Sequence, residues 1–274
     1  MDLLYILSGF LVGTLVGVTG VGGGSLMTPL LVFLFDFKPA VAVGTDLLFA
    51  AITKTGGVWV HHTKHASVDW KIVGWLALGS LPCAGATLWV LKHLMSIGKE
   101  ITGTITFTLG VALLLTAVAL LVRSVLIHRS AKLETADADD PGFSDEEEER
   151  SRFGKYLQIP ATILVGAVLG ILVTLSSVGA GALGTVALLF LFPNMRTVKI
   201  VGTDLAHAIP LTAVAGLGHL SLGNVDLVLL GSLLVGSLPG IWIGSHISAL
   251  LPEKFLRPTL ATILLIIGVK FVLQ

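Results

Sequence analysis

Ten apolar stretches follow one another along the chain, with short polar segments between them. They cover about 3–19, 26–35, 40–61, 72–91, 101–127, 157–175, 183–193, 199–219, 227–250 and 256–273. Most reach the roughly 20 residues that a helix needs to cross a bilayer, whereas 26–35 and 183–193 are shorter and fit half-helices or re-entrant arms. The pattern predicts an all-α polytopic integral membrane protein.

The composition excludes most other classes of protein. The chain has 274 residues, of which 54% are hydrophobic and only 12% are charged, and its mean hydropathy is +0.93. Soluble domains are roughly one quarter charged, and so few charges cannot cover the surface of a soluble domain of this length. An ordinary cytosolic enzyme, a nucleic-acid-binding module and a disordered scaffold are therefore excluded.

One polar segment, 128–156, differs from the other connections. It contains Pro-Gly, and nine of the 17 acidic residues of the chain lie between Glu134 and Glu149. Such a segment cannot bury enough apolar surface to fold, so we expect a solvated, largely disordered acidic linker. It divides the chain into a first transmembrane repeat, 1–127, and a second, 157–274.

The two parts repeat each other. The segment Gly74–Pro82 (GWLALGSLP) returns as Gly231–Pro239 (GSLLVGSLP), and the sequence Val-Gly-Thr-Asp ends at both Asp46 and Asp204. The glycine run Val-Gly-Gly-Gly at 21–24 corresponds to Val-Gly-Ala-Gly at 178–181. Several landmarks in one order, 157 or 158 residues apart, indicate a duplicated unit.

The positive-inside rule distinguishes parallel from inverted repeats, because Lys and Arg concentrate in short cytoplasmic loops. Five segments per repeat place 12 basic residues on one side and four on the other, whereas four crossings per repeat give nine against seven. This favours two inverted repeats of about five membrane segments each, both termini outside and a cytoplasmic connector at 128–156.

Inverted repeats are typical of secondary transporters, whose substrate site lies near the middle of the membrane where helices are interrupted. Glycines break the first helix of each repeat here, and the N-terminus of the following short helix would offer an anion its N–H groups and positive dipole end. The candidate substrate contacts at the breaks are Gly22, Gly23, Gly24, Ser25, Ser177, Gly179 and Gly181. The alternative is that these glycines only permit close helix packing, as we expect for Gly9, Gly13 and Gly17.

Ionisable residues inside apolar segments are expensive and therefore candidates for function. Asp46 and Asp204 follow Thr45 and Thr203, two further candidate donors to substrate, and His207 lies one turn beyond Asp204. Proton coupling and backbone bracing are both open for Asp46, Asp204 and His207. Bracing is physically easier for the carboxylates, because an unpaired carboxylate repels an anion beside it.

Lys54 is the clearest cation within an apolar segment, and Thr212 stands near its equivalent place in the second repeat. A buried ammonium near two helix N-termini would be a counter-ion for a sulfur oxyanion. It could instead pair with Asp46, two turns away. Both readings remain open from the sequence.

The glycine-rich break after residue 19, the repeated Val-Gly-Thr-Asp and the repeated Gly-Ser-Leu-Pro together resemble the TauE/SafE sulfite exporter family, also called the toluene-sulfonate uptake permease family. The resemblance spans the chain outside the connector. It implies transport of a small sulfur-containing anion, such as sulfite, sulfoacetate or another organosulfonate, across a prokaryotic plasma membrane. The second repeat departs from the pattern, because Ala180 and Ala182 interrupt its glycine run.

The sequence predicts a secondary transporter that works by alternating access, not an enzyme. The chain contains no Walker motif, so energy must come from an ion gradient or from the substrate's own gradient. No cofactor, metal or nucleic acid is expected; the expected partners are a small anion, protons and the lipid bilayer, with homo-oligomerisation open. An uncoupled anion channel, or a carrier of a carboxylate or thiosulfate, is the alternative.

Overall fold

The computed structural model describes the backbone of residues 3–19, 24–65, 68–134, 145–247 and 253–273. Every regular element in these ranges is an α-helix. The helices are α1 (Leu3–Thr19), α2 (Gly24–Phe35), α3 (Pro39–His65), α4 (Trp70–Ser96), α5 (Thr102–Glu134), α6 (Asp145–Ser176), α7 (Leu183–Leu191), α8 (Thr197–Ser221), α9 (Leu227–Ile247) and α10 (Glu253–Leu273).

Five of the described helices are long and apolar enough to cross a membrane, by length and composition. The spans lie in α4, α5, α6, α8 and α9, and shorter apolar segments lie in α1, α2 and α10. The two short apolar stretches of the sequence became α2 and α7. The prediction of an all-α polytopic membrane protein is confirmed.

The connector 128–156 differs from the disordered linker that we expected. Helix α5 continues to Glu134, and α6 already begins at Asp145. The first residues of α6, Asp145–Glu149, are all acidic, which stabilises a helix at its N-terminus. Residues 128–134 and 145–156 are therefore helical, and 135–144 lie outside the described residues.

Helices α1 and α9 pack with their backbones in direct contact. A Cβ on any of six glycines would overlap atoms of the facing helix: Gly9 at Leu233, Gly13 at Ser237, Gly17 at Ile241, Gly236 at Ile6, Gly240 at Phe10 and Gly244 at Thr14. Small residues at four-residue spacing permit this close approach of membrane helices. The packing role predicted for Gly9, Gly13 and Gly17 is confirmed.

The helix contacts occur in matched sets between the two halves. Helix α1 packs on α9 as α6 packs on α4, and α3 contacts α9 as α8 contacts α4. Two further pairs, α3 with α8 and α5 with α10, join each helix to its own counterpart. Each half therefore completes its packing on the other, and the halves are interlocked.

The connection between α6 and α7 lies at the centre of this arrangement. Val178 and Ala182 pack into a buried cluster with α5 and α10, while Ala180 and Leu183 pack against a second cluster formed with α3, α4 and α8. The break predicted in the second half is thus enclosed by helices from both halves.

Candidate functional site

The break in the second half has the irregular backbone that its glycines predict. Helix α6 ends at Ser176 and α7 begins at Leu183. Gly179 and Gly181 have φ angles of 113° and 127°, which only glycine adopts readily. Ser177 also has a positive φ, 59°, which is rare for a non-glycine residue and is found at functional sites. This backbone leads into α7, whose N-cap, Ala182, supplies no side-chain hydrogen bond.

The break in the first half lies mostly outside the described residues. Gly22 and Gly23 fall in the gap at 20–23, and Gly24 is the first residue of α2. Ser25 is the second residue of α2 and is buried. Ser25 therefore lies within the first turn of the helix and not at its N-cap position.

Lys54 joins the two halves at the second break. Its side chain is 7% exposed, and its ammonium donates a hydrogen bond of 2.9 Å to the carbonyl oxygen of Ala180. The ammonium forms no direct ion pair with Asp46 or Asp204 among the described residues, although it is near enough to interact electrostatically with both. From the sequence, Lys54 could either contact the substrate or pair with Asp46. In the structure its ammonium instead bonds a backbone carbonyl at the break of the other half.

Asp46 and Asp204 each hold the short helix that precedes their own. The Thr28 hydroxyl in α2 donates to Asp46 Oδ2 at 2.5 Å, and the Thr185 hydroxyl in α7 donates to Asp204 Oδ2 at 2.8 Å. Both carboxylates are essentially inaccessible. The bonds are those of a brace between consecutive helices, which was one of the two roles open from the sequence.

Several polar atoms around the break are poorly partnered. Within the described part of the chain, Asp46 Oδ1, Asp204 Oδ1 and Ser177 Oγ are buried without a hydrogen bond of good geometry, although the Ser177 hydroxyl is close enough to Asp46 to interact with its carboxylate. Unpartnered buried polar atoms cost free energy and are therefore uncommon in native proteins. The surroundings of Lys54 therefore retain unused hydrogen-bonding capacity.

Thr45 and Thr203 are engaged between the halves. The Thr45 hydroxyl oxygen accepts a hydrogen bond from the Asp226 backbone N–H at 3.1 Å, and that of Thr203 accepts one from the Asp69 N–H at 2.9 Å. The Thr203 hydroxyl also donates to the Lys199 carbonyl. These two residues, candidate substrate contacts from the sequence, tie α3 and α8 to the starts of α9 and α4.

His207 lies between α8 and α4. Its Nε2 is 2.8 Å from the Ser80 hydroxyl, and the side chain is fully buried. Its Nδ1 has no hydrogen-bond partner among the described residues. The pairing with Ser80 connects the two halves at a further point, next to the carboxylate one turn earlier on α8.

Asp69 and Asp226 cap equivalent helices but differ in charge environment. Asp69 Oδ1 accepts from the N–H groups of Lys71 and Ile72, and its Oδ2 is 3.0 Å from Lys199 Nζ. Partial burial alone would raise the pKa of Asp69. The hydrogen bond and charge of Lys199, together with the two N–H groups, outweigh that effect and hold the pKa below its usual value.

Helix α5 contributes two polar residues that sequence reasoning missed. Arg123 is 6% exposed and, like Lys54, lies within electrostatic range of Asp204. Thr116 is fully buried, two turns earlier on the same helix. The signal that could have identified them is their helical spacing, because both lie in the stripe of buried α5 residues. Arg123 was difficult to recognise because a cation at the end of an apolar segment normally flanks a loop.

Apart from the residues of the first break, Gly22, Gly23, Gly24 and Ser25, the predicted site residues separate into two groups. Those that the structure brings together at the second break are Lys54, Asp46, Asp204, Ser177, Gly179 and Gly181, with His207 close by. Thr45 and Thr203 lie at the contacts between halves. No group of three His, Cys, Asp or Glu side chains that could hold a metal ion occurs among the described residues.

Comparison with known proteins agrees with this architecture. Residues 5–271 match the family described as sulfite exporter TauE/SafE. The probable membrane transporter protein YjnA of Bacillus subtilis is 37% identical over 278 residues, which cover 99% of this chain and 100% of that relative. The probable membrane transporter protein YdhB of the same organism is 27% identical over 96% of this chain and 100% of its own length.

More distant relatives carry the same description. A probable membrane transporter protein of Methanocaldococcus jannaschii is 26% identical over 97% of this chain and 93% of its own length. No solved structure matches the chain. Since the family match covers nearly all residues and the relatives match end to end, this chain belongs to the sulfite exporter TauE/SafE family and is a membrane transporter, not an enzyme.

Proposed function

We propose that this transporter moves a small sulfur-containing anion, such as sulfite, sulfoacetate or another organosulfonate, across the prokaryotic plasma membrane. The observation that carries the proposal is the buried ammonium of Lys54, which comes from one half and rests on the broken helix of the other. A carrier needs such a cation at an interrupted helix to hold an anion away from water. The family match supports sulfur chemistry in particular.

In the proposed bound state, the anion replaces the Ala180 carbonyl as the partner of Lys54. The Ser177 hydroxyl, which is buried beside Asp46, supplies a second donor. Gly179 and Gly181 leave the backbone open to close approach, since they carry no Cβ. From the first half, Gly22, Gly23, Gly24 and Ser25 remain proposed contacts, of which Gly22 and Gly23 lie outside the described residues. Thr45 and Thr203 leave the proposed contact set, because their hydroxyls already bond between the halves.

Alternating access is proposed to occur by rocking of two inverted halves. The matched helix contacts support a duplicated frame, and the charge bias of the loops supports inversion. In that topology the Thr45–Asp226 contact lies toward the outside and the Thr203–Asp69 contact toward the cytoplasm. Each movement would open one of these contacts and preserve the other.

Protons are the proposed coupling ion. Asp46 and Asp204 are buried beside the proposed anion position, and two ionised carboxylates would repel an entering anion. Protonation of these groups removes the repulsion and also lowers the net charge that crosses the membrane. The carboxylates would then serve both as braces, through Thr28 and Thr185, and as proton carriers.

Uptake into proteoliposomes tests this function directly. Radiolabelled sulfite and sulfoacetate are supplied under proton gradients of either sign, with wild-type protein, Lys54→Ala and the exposed-residue control Lys92→Ala. We expect wild type and control to transport, Lys54→Ala to lose at least about tenfold in rate because a charged hydrogen-bonding partner is gone, and the gradient to change the rate.

Each alternative function has its own outcome in this assay. Flux that ignores the proton gradient and changes with membrane potential alone would indicate an uncoupled anion channel. Transport of acetate or thiosulfate in preference to both sulfur substrates would identify a different carrier. Unchanged transport by Lys54→Ala would contradict the proposed site, even if the substrate were correct.

The proposed orientation is tested separately with reporter fusions. A reporter inserted within 135–144 is expected to be cytoplasmic, and one placed after Gln274 is expected outside. A cytoplasmic reporter at the C-terminus would overturn the inverted arrangement, because an odd number of crossings per half places both termini on the outer side.

A further inference from the structure

We propose that the buried face of α5, through Arg123 and Thr116, completes the anion site and makes it selective for sulfur anions that carry two negative charges. This inference rests on the proposed function and specifies the substrate class of the same site. Lys54 would hold one anionic group, and Arg123 would hold the other.

The placement of α5 supports this role. Its buried stripe contacts the second break directly, because Leu113, Ala117 and Leu120 pack in one cluster with Val178 and Ala182. Thr116 and Arg123 lie at positions i and i+7 of a helix, and hence on the same face as these apolar residues. The two polar side chains are therefore part of the wall that α5 builds against the break.

Thr116 has an unused hydroxyl. Other threonines of this helix, Thr106 and Thr108, donate to the carbonyl oxygen four residues earlier. Thr116 Oγ1 makes no such bond and has no partner in the described part of the chain, although the side chain is fully buried. A hydroxyl kept unpaired in an apolar cluster is destabilising unless a bound group accepts its hydrogen bond.

Arg123 adds a second buried cation. Lys54 approaches from α3 and Arg123 from α5, and both lie within electrostatic range of the Asp204 carboxylate. A buried guanidinium is retained at considerable cost, and its planar fork matches the oxygens of carboxylates and sulfur oxyanions. Two cations on separate helices suit a ligand with two anionic groups, whereas a monoanion can neutralise only one of them.

The charge balance of the site fits this ligand class. Lys54 and Arg123 carry two positive charges, and Asp46 and Asp204 carry two negative charges when ionised. A dianion that enters while both carboxylates take up protons brings the summed charge of these four side chains and the ligand to zero. A monoanion that enters with the same two protons leaves the same groups with a summed charge of +1 in a poorly solvated interior.

The test compares two sulfonates that differ in charge, sulfoacetate and methanesulfonate, in proteoliposomes. The measured quantity is the ratio of their kcat/KM values for wild type, Arg123→Gln, Arg123→Lys and the exposed-residue control Lys92→Gln. We expect wild type and control to favour sulfoacetate, and Arg123→Gln to lower the ratio at least about tenfold, since it removes a charged hydrogen-bonding group from only one of the two substrates. Arg123→Lys should recover part of the ratio.

A second variant pair tests the hydroxyl. Thr116→Val is expected to raise the KM for sulfoacetate about threefold to tenfold with little change in kcat, because one donor to the bound anion is lost. The matched control is Thr106→Val on the same helix, whose hydroxyl already bonds the Thr102 carbonyl. Equal effects of the two substitutions would overturn the role of Thr116.

Failure of the inference is distinguishable from failure of the proposed function. If wild type moves both sulfonates but the ratio is unchanged in Arg123→Gln, or if wild type prefers methanesulfonate, the second cation does not select charge and the inference is wrong. If wild type moves neither, the proposed function itself fails. Where Arg123→Gln does not reach the membrane, Arg123→Lys decides: a lowered ratio supports the inference, and an unchanged ratio overturns it.

Discussion

Asp46 and Asp204 occupy equivalent places in the two halves, and each accepts a hydrogen bond from a threonine of the short helix before it. Their surroundings differ. Asp204 is near two cations, Lys54 and Arg123, whereas Lys54 is the one cation near Asp46 among the described residues, and Ser177 lies beside Asp46. The Thr–Asp hydrogen bond therefore occurs in both halves, whereas the charged groups around the two carboxylates differ.

The backbone next to the two carboxylates also differs. In the second half, Asp204 Oδ1 lies against Gly184, where a Cβ would overlap it. The residue at the corresponding place in the first half is Met27, whose side chain is fully buried. Gly184 therefore leaves the second carboxylate a space that any side chain at this position would fill.

This comparison separates two contributions to a transporter site. Some features occur in both halves, namely the Thr–Asp braces and the contacts of Thr45 and Thr203. These repeated contacts hold the helices of each half in equivalent positions. Features present once, such as Lys54, Arg123 and the Ser80–His207 pair, give one break its chemistry. Under the proposed function, a single central substrate site needs only one set of charged groups, so the two copies can differ in these groups while the repeated contacts are kept.

The largest expected effect of this asymmetry is on stability. Asp204→Ala should lower the free energy of unfolding by about 3–5 kcal/mol, because it removes a buried carboxylate that braces α7 through Thr185 and lies within electrostatic range of both Lys54 and Arg123. Asp46→Ala should cost about 1–3 kcal/mol, because Lys54 retains Asp204 and Ala180. The measurement is unfolding in detergent, with the exposed residue change Glu100→Ala as control. Equal losses would show that the two carboxylates are equivalent, and partial rescue of Asp204→Ala by Arg123→Met would support the stated cause.

The braces themselves should respond alike in both halves. Thr28→Val and Thr185→Val each remove a hydroxyl donor to a buried carboxylate while keeping the shape of the side chain. A hydrogen bond to a charged group contributes about 1.5–3 kcal/mol, so each variant should lose about that much unfolding free energy. Thr28→Ser and Thr185→Ser are the controls that keep the donor. A loss confined to one half would mean that only one of the two pairs braces its helix.

A somewhat smaller effect should be specific to the second half. Gly184→Ala forces a methyl group against Asp204 Oδ1 and should cost about 1–3 kcal/mol of unfolding free energy, as overpacking does. The control is Gly74→Ala on α4, where a Cβ meets nothing within 4 Å. That variant should be neutral or slightly stabilising, since alanine favours a helix over glycine. Tolerance of Gly184→Ala equal to that of Gly74→Ala would contradict the direct contact.

Most of the fold follows from local pattern, and most of the site does not. The lengths of the apolar stretches predict where the helices lie, and the four-residue spacing of glycines predicts the close packing of α1. Both signals can be read from residues that are near one another in the sequence. The partner of Lys54 is Ala180, 126 residues away, and no local signal specifies such a contact. The same holds for Thr203 and Asp69, which meet only after the halves interlock.

Two differences from expectation have identifiable causes. The connector was expected to be disordered because it is charged, yet its acidic residues favour the start of α6 and the apolar part of α5 extends its helix outward. Arg123 was counted among the loop-flanking basic residues, because a cation at the end of an apolar segment is normally one. Its burial depends on how α5 packs in the fold.

The smallest expected effect concerns the caps of α4 and α9. Asp69 and Asp226 both accept hydrogen bonds from the first N–H groups of their helices, but only Asp69 also pairs with a lysine, Lys199. The side chains of Lys199 and Asp69 are 42% and 26% exposed, so the ion pair should contribute only about 0.2–1 kcal/mol. Lys199→Gln should lower the unfolding free energy by that amount at neutral pH, and less at high salt.

The contribution of the Lys199–Asp69 pair to stability should depend on pH, and the pKa of Asp69 sets the direction of that dependence. The pKa of Asp69 is lower in the folded state than its usual value, so the stabilisation is present above the ordinary pKa of an aspartate and is lost as pH falls through the folded-state pKa. Wild type and Lys199→Gln should therefore differ in Tm at pH 7 and converge in acid. A matched pair in the other half, wild type and Val41→Gln, should show no such convergence, since Val41 stands at the place of Lys199. A Tm difference for Lys199→Gln that persists unchanged in acid would mean that Lys199 stabilises the fold through packing and not through its charge on Asp69.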